Sequence, residues 1–156
     1  MYSVKEIFDD DIKEETCRAI LADLPEWFGI PEATEEYCKG VRDKTFFAAL
    51  NGKQTVGFVS LLDHNEHTAE IYVIGIYNSF RNKGIGSLLL KSVVKLLSAR
   101  NKQYLTVKTL DGSHKSKEYE ETRKFYLARG FLALEVFPTI WGADNPCLFM
   151  VKKIEE

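Results

Sequence analysis

A glycine-rich hexapeptide at residues 81–86, RNKGIG, constrains the fold of this 156-residue chain more than any other feature. It joins a strand-like run, residues 71–76, to an amphipathic run, residues 85–97, that has the periodicity of a helix. The start of a helix offers unpaired N–H groups and the positive end of the helix dipole, and the two glycines have no Cβ atom to keep a phosphate at a distance. The hexapeptide therefore predicts a phosphate-binding turn.

Two better-known phosphate loops do not fit these residues. A dinucleotide-binding turn needs G-x-G-x-x-G, but Ser87, Leu88 and Leu89 follow the second glycine. A P-loop needs a Gly-Lys-Ser/Thr sequence, which this segment lacks. What remains, R-x-x-G-x-G between a strand and a long helix, resembles the acetyl-CoA pyrophosphate loop of the GNAT N-acetyltransferase superfamily. A plain glycine-containing turn between a strand and a helix is the alternative.

A second segment, residues 125–131, resembles the F-Y-x-x-x-G-F run near the end of the same fold. In that resemblance Tyr126 lies on a helix that ends at Gly130, and Phe131 begins the next strand. The order and separation of the two segments also match the superfamily. The resemblance implies an α/β (α+β) fold with a mixed, mostly antiparallel, splayed sheet of about seven strands and about four helices, formed by residues 1–156 as one domain.

The spacing of apolar residues predicts the elements along the chain. Strands are predicted at residues 3–8, 45–50, 55–62, 69–77, 103–109, 131–137 and 147–153, and helices at residues 11–24, 32–42, 83–100 and 119–129. In the fourth strand, simple alternation places Glu70, Tyr72, Ile74 and Ile76 on one face. Gly75 interrupts that strand and predicts a bulge or a close approach of another group to the backbone.

The resemblance implies where the coenzyme lies. The fourth strand splays from the fifth, the pantetheine arm occupies the gap, and a backbone N–H near Gly75 and Ile76 polarises the thioester carbonyl. Acetyl-CoA is the implied co-substrate, and no metal is required. The implied coenzyme-binding residues are Ile74, Gly75, Ile76, Arg81, Asn82, Lys83, Gly84, Ile85, Gly86 and Ser87.

Acetyl transfer from a thioester to an amine needs a base for the amine and an acid for the departing thiolate. Tyr126 has the position of the tyrosine that donates to the coenzyme's sulfur in many relatives, and packing of its ring against the sheet is the alternative. Glu70 lies where some relatives place a general base, and a merely solvated glutamate is the alternative. The superfamily's asparagine six positions before the tyrosine is replaced here by Glu120. Candidate substitutes for its coenzyme contact are Thr122, Arg123 and Lys124.

Three loop aromatics are the candidate substrate-binding residues. Trp27 and Phe28 are adjacent in a loop after the first helix, and Trp141 lies in a late loop. Aromatic walls hold amines by cation–π contacts, although large loop aromatics also anchor loops to a core. The predicted function is transfer of an acetyl group from acetyl-CoA by direct attack of a primary amine of a small molecule or peptide. Acetylation of a protein lysine or N-terminus, and a non-catalytic acyl-CoA sensor, are the other interpretations.

Charge is distributed unevenly along the chain. Residues 1–80 carry a net charge of −8, residues 81–129 carry +8, and the whole chain carries −2. The positive segment suits a ligand with several phosphates, whereas the acidic segment either favours a cationic amine or only solvates helix faces. Nucleic acid is disfavoured as a partner, because the pI is near 6 and there is no basic stripe interleaved with aromatics.

The remaining expectations concern compartment and assembly. No apolar run reaches the ~18 residues of a membrane span, and the N-terminus lacks a secretory core, which predicts a cytoplasmic protein with no membrane partner. Cys17, Cys38 and Cys147 form no C-x-x-C pair, so neither a disulfide framework nor a metal site is predicted. Relatives in the superfamily are often homodimers, but no segment of this chain marks an interface.

Overall fold

The computed structural model describes residues 1–155, and every predicted element is present with bounds shifted by at most two residues. The strands are β1 (Tyr2–Glu6), β2 (Thr45–Asn51), β3 (Gln54–Asp63), β4 (Thr68–Ile76), β5 (Tyr104–Leu110), β6 (Leu132–Phe137) and β7 (Cys147–Lys153). The helices are α1 (Asp10–Ala22), α2 (Pro31–Gly40), α3 (Ile85–Ala99) and α4 (Lys117–Ala128).

Local sequence explains where three of the helices begin. The Asp9 carboxylate accepts a hydrogen bond from the Ile12 N–H at 3.1 Å and caps α1. Ser116 caps α4 in the same way through the Tyr119 N–H. Pro31 occupies the first position of α2, where its missing N–H and fixed φ suit a helix start.

All seven strands form one sheet in the order β1-β2-β3-β4-β5-β7-β6. Neighbouring strands are antiparallel except β4 and β5, which are parallel. Four helices flank this sheet, so the predicted mixed, mostly antiparallel architecture is confirmed. No described helix is long and apolar enough to cross a membrane.

The sheet separates two hydrophobic cores. On one face, α1 and α2 pack around the stacked rings of Phe46 and Phe58, whose centroids are 5.1 Å apart. On the other face, the buried stripe of α3 packs with Tyr126 of α4 against the strands. That stripe consists of Ile85, Gly86, Leu89, Leu90, Val93 and Leu97. The three cysteines are buried and free.

A bulge in β4 contradicts the predicted alternation of that strand. Against β3, Leu61 pairs with Ile71 and Ser60 pairs with Val73, so Tyr72 is an extra residue. Beyond the bulge, each side chain of the strand lies on the face opposite to the one that simple alternation predicts. Ile74 packs into the core beside α3, whereas Tyr72 packs into the core beside α1 and α2. The prediction that Glu70, Tyr72, Ile74 and Ile76 share one face is therefore wrong, because one inserted residue reverses the pattern that follows.

Gly75 itself is not the bulge, since it pairs with Phe58 in the regular part of the ladder. A Cβ atom at Gly75 would lie 3.0 Å from Ile20 and 3.3 Å from Leu24 of the α1 segment. Of the two alternatives predicted for this glycine, the structure shows the close approach. It lets α1 pack directly on the end of β4.

Candidate active site

A cavity opens at a gap between β4 and β5. The parallel pairing begins at Thr68 and Tyr104 and stops at Ile71 and Val107, although both strands continue. The cavity that opens there has a volume of about 360 Å³. Its walls come from α2, β4, β5, α4, the turn before α3 with the first residues of that helix, the loop after α1, and the loop between β6 and β7. Several separate chain segments thus converge on one site.

The turn at residues 81–86 has the geometry of an anion-binding loop. Asn82 and Gly84 adopt positive φ values of 60° and 81°, and α3 begins directly afterwards. No side chain caps α3, and within the described residues the N–H groups of residues 82–87 form no hydrogen bond. Unpaired donors at the positive end of a 15-residue helix favour a phosphate.

The two glycines of this turn lack a Cβ for different reasons. At Gly84 a Cβ would meet nothing within 4 Å, so the space above it is open to a ligand. At Gly86, which is buried, a Cβ would lie 2.7 Å and 2.8 Å from ring atoms of Phe125. The structure therefore gives Gly86 a packing role between α3 and α4 that the sequence did not indicate.

Two arginines flank the turn. The Arg81 guanidinium lies 4.2 Å from the centre of the Trp27 ring and 3.4 Å from a carboxylate oxygen of Glu121. Arg129 donates from Nε to the Ser87 hydroxyl at 2.8 Å, and its guanidinium lies over the Phe125 ring. Both arginines line the cavity, so they add positive charge beside the unpaired N–H groups.

Lys83 is exposed and does not line the cavity. The other predicted coenzyme-binding residues do line it, both those of the turn and Ile74, Gly75 and Ile76 of β4. Opposite these residues, the buried Thr109 hydroxyl of β5 has no hydrogen-bonding partner among residues 1–155. An unsatisfied hydroxyl in the gap is suited to a ligand with amide groups.

Tyr126 lies deep in the same cavity. Its side chain is 3% exposed, and its ring contacts those of Phe125 and Phe131 edge to face. Burial raises the pKa of the Tyr126 hydroxyl well above its usual range, with a smaller contribution from Tyr119. The phenol therefore keeps its proton at neutral pH, as a hydrogen-bond donor must. Packing and donation are compatible here, since the ring packs and the residue also faces the cavity.

Glu70 is placed differently. It is buried, it does not line the cavity, and its carboxylate oxygens each lie 3.0 Å from the ammonium of Lys108. The Nε2 atom of His64 lies 2.6 Å from the same carboxylate. The expectation of a solvated glutamate is wrong, because these two partners enclose it. Lys108, not Glu70, faces the cavity directly.

The candidate substrate residues Trp27, Phe28 and Trp141 all line the cavity. Trp27 also anchors its loop, as its indole N–H donates to the Thr122 hydroxyl at 3.1 Å and its carbonyl accepts from the Tyr119 hydroxyl at 2.8 Å. The interpretation of Trp27 as a loop anchor is therefore confirmed, and its role in substrate binding stays a prediction. Three tyrosines that the sequence analysis did not select complete an aromatic wall. The aromatic wall consists of Trp27, Phe28, Tyr37, Tyr72, Tyr119 and Trp141.

Three residues of α4 were candidates for the coenzyme contact that the superfamily's asparagine makes, and of these only Thr122 lines the cavity. Arg123 donates to the Leu110 carbonyl at 2.7 Å, and Lys124 pairs with Glu120 on the outer surface. The residues of α4 that face the cavity recur at helical spacing, and that spacing was a usable sequence signal. They are Tyr119, Glu121, Thr122, Phe125 and Tyr126, with Arg129 directly after the helix.

A splayed sheet with a glycine-rich turn at its gap is typical of the N-acetyltransferase fold, and known proteins agree. The model of the acetyltransferase (GNAT) family matches residues 6–131, and the chain belongs to this family. An uncharacterised N-acetyltransferase of Chlorobaculum tepidum is 32% identical over 98 residues. The matched stretch spans 62% of this chain and 62% of that relative.

Solved structures show the same fold at low sequence identity. A structure assigned to the GNAT acetyltransferases, from Desulfovibrio desulfuricans, has a TM-score of 0.84 and 18% identity, over 99% of this chain and 100% of that one. An aminoglycoside 6'-N-acetyltransferase complexed with coenzyme A has a TM-score of 0.77 and 19% identity, over 99% of this chain and 98% of that one.

Proposed function

We propose that this protein transfers an acetyl group from acetyl-CoA to an amine by direct attack of the amine on the thioester. One observation carries the proposal: the parallel ladder stops at Ile71 and Val107, and the gap beyond it joins the phosphate-binding turn to Tyr126. Family membership and the coenzyme A complex of a structural neighbour support the choice of co-substrate.

The residues present fit such a co-substrate. The unpaired N–H groups of residues 82–87 and the guanidinium groups of Arg81 and Arg129 would hold its phosphates. The backbone of residues 74–76 and the unsatisfied Thr109 hydroxyl would hold its amide-containing arm. Acetyl-CoA when bound supplies an activated acyl thioester.

Tyr126 would donate its proton, or a strong hydrogen bond, to the departing sulfur. Burial keeps the phenol protonated, and neighbouring rings fix its position in the cavity. Glu70 is proposed as the group that receives the amine's proton through water, since its carboxylate lies one side chain behind the cavity wall, next to Lys108.

The test combines calorimetric titration with acetyl-CoA and a thiol-release assay over a panel of amines. Tyr126→Phe keeps the aromatic ring and removes the hydroxyl group that would donate the proton. We therefore expect kcat to fall about 10²-fold while the affinity for acetyl-CoA stays within a factor of about two. Because the pKa of Tyr126 is raised, its titration should not reduce the wild-type rate between pH 7 and 9. An unchanged kcat in the variant would assign Tyr126 to packing alone.

Absence of acetyl-CoA binding would refute the proposal as a whole. Binding with no turnover on any amine would instead indicate an acyl-CoA sensor. Tyr104→Phe is a matched control, because this tyrosine is 43% exposed on β5 and does not line the cavity.

A further inference from the structure

Aromatic rings form much of the cavity wall, and they surround the space in which an acceptor would bind. Phe28 contacts Tyr37 edge to face at 5.9 Å, and Tyr37 contacts Tyr72 in the same way at 5.2 Å. Tyr119 and Trp141 face the same space from α4 and from the loop between β6 and β7. Rings from five segments of the chain thus surround the volume that lies beyond the gap.

The lysine and the carboxylate among the described residues that line the cavity are both paired. Lys108 is the cation on the floor, and both oxygens of Glu70 hold its ammonium. Glu121 is the one carboxylate among the described residues that line the cavity, and it pairs with Arg81. A ligand with several positive charges would therefore meet no free carboxylate.

The acidic segment, residues 1–80, adds no carboxylate to the cavity wall. Arg42 pairs with Asp11 and Glu14, and Arg18 pairs with Glu14 and Glu35. These side chains form a network across α1 and α2, and none of them lines the cavity. The alternative that the acidic segment serves helix surfaces fits the structure better than attraction of a cationic substrate.

The volume of the cavity also favours a small acceptor. The volume of about 360 Å³ extends from the phosphate-binding turn to the aromatic wall, so an acceptor shares it with the arm of the co-substrate. Binding sites for single drug-sized ligands have volumes of about 300–1,000 Å³. The space left for the acceptor suits one small ring system.

We infer that the acceptor is a monoamine attached to an aromatic body, and that the aromatic wall is its binding site. This inference depends on the proposed acetyl transfer. The ring of the acceptor stacks among Phe28, Tyr37 and Tyr72, and its single amino group points toward the floor at Lys108. Once the amine has lost its proton it is uncharged, so a neutral, aromatic environment does not penalise the reactive form.

The experiment measures kcat/KM at saturating acetyl-CoA for tyramine and phenethylamine, with hexylamine as an apolar control that has no ring. Spermidine and kanamycin serve as polycations, and a short peptide with a free N-terminus completes the panel. We expect kcat/KM for the aromatic monoamines to exceed that for every other acceptor by at least about tenfold.

Two variants test the wall itself. Tyr37→Leu removes a ring from the centre of the wall, and Trp141→Ala removes one from a partly exposed loop, where folding is less at risk. Each should lower kcat/KM for tyramine about tenfold and leave that for hexylamine and the affinity for acetyl-CoA within about twofold. Tyr104→Leu, an exposed tyrosine outside the cavity, should change none of these values.

The outcomes separate this inference from the proposed function. If acetyl-CoA does not bind, the proposed function fails and this inference fails with it. If acetyl-CoA binds but a polycation or the peptide is the better acceptor, or if no aromatic monoamine is acetylated, this inference alone is overturned. Equal losses for tyramine and hexylamine in both variants would also overturn it.

Discussion

The contact between Gly86 and Phe125 makes a quantitative prediction about how α3 and α4 fit together. A Cβ at Gly86 would lie 2.7 Å from the Phe125 ring, whereas ordinary carbon contacts are about 3.5–4.0 Å, so the ring must retreat by about 1 Å. Overpacking of this kind costs about 1–3 kcal/mol, and the helix propensity of alanine returns at most about 1 kcal/mol. Gly86→Ala should therefore lower the free energy of unfolding by about 1–2 kcal/mol.

Gly84→Ala should cost a similar amount for an unrelated reason. Its φ of 81° penalises an L-residue by about 1–2 kcal/mol, but no atom lies within 4 Å of the new Cβ. The two causes are separated by Phe125→Leu, because leucine lacks the ring atoms that a Cβ at Gly86 would meet. Phe125→Leu should offset part of the cost of Gly86→Ala, with a coupling of about 1 kcal/mol, and should not couple to Gly84→Ala.

Urea denaturation of the single and double variants measures the change in the free energy of unfolding for each variant and the coupling between each pair. If the costs of Gly86→Ala and Phe125→Leu add to within about 0.5 kcal/mol, the contact is not what excludes a side chain from Gly86, and the reasoning is refuted. A coupling between Phe125→Leu and Gly84→Ala of the same size would refute it as well.

Two further variants test the remaining site residues. Arg129→Gln removes the positive charge beside the turn. In calorimetry, the affinity for acetyl-CoA should fall about tenfold and depend less on salt. An unchanged affinity would show that Arg129 serves only its hydrogen bonds with Ser87 and the Phe125 carbonyl. Glu70→Gln should lower kcat about 10²-fold with acetyl-CoA affinity preserved, and a loss below about threefold would show that Glu70 only positions Lys108.

Local signals were sufficient for the elements of this fold. Periodicity predicted the strand at residues 147–153 without error, and caps such as Asp9 and Ser116 explain why the helices begin where they do. The glycine-rich turn before α3 was also predictable, because its backbone depends on a few adjacent residues, chiefly Asn82 and Gly84.

Features that depend on pairing between distant segments were not predictable from the sequence. The bulge at Tyr72 is defined only by the register against β3. The ion pair of Glu70 with Lys108 joins residues 38 positions apart, and it forms because β4 and β5 are parallel neighbours at their first residues. The sequence of one strand specifies neither its partner strand nor its register, so it did not indicate that Glu70 would be buried beside Lys108.

The same bulge also affects how β4 lies beside the gap. After Tyr72, the face of β4 that carries Val73 and Gly75 turns toward α1, and Gly75 allows Ile20 of α1 to approach closely. The end of β4 is thus packed against α1, and its pairing with β5 ends at Val107. Core packing therefore positions the β4 side of the cavity, and a site positioned in this way costs a ligand less binding free energy than one that must be ordered on binding.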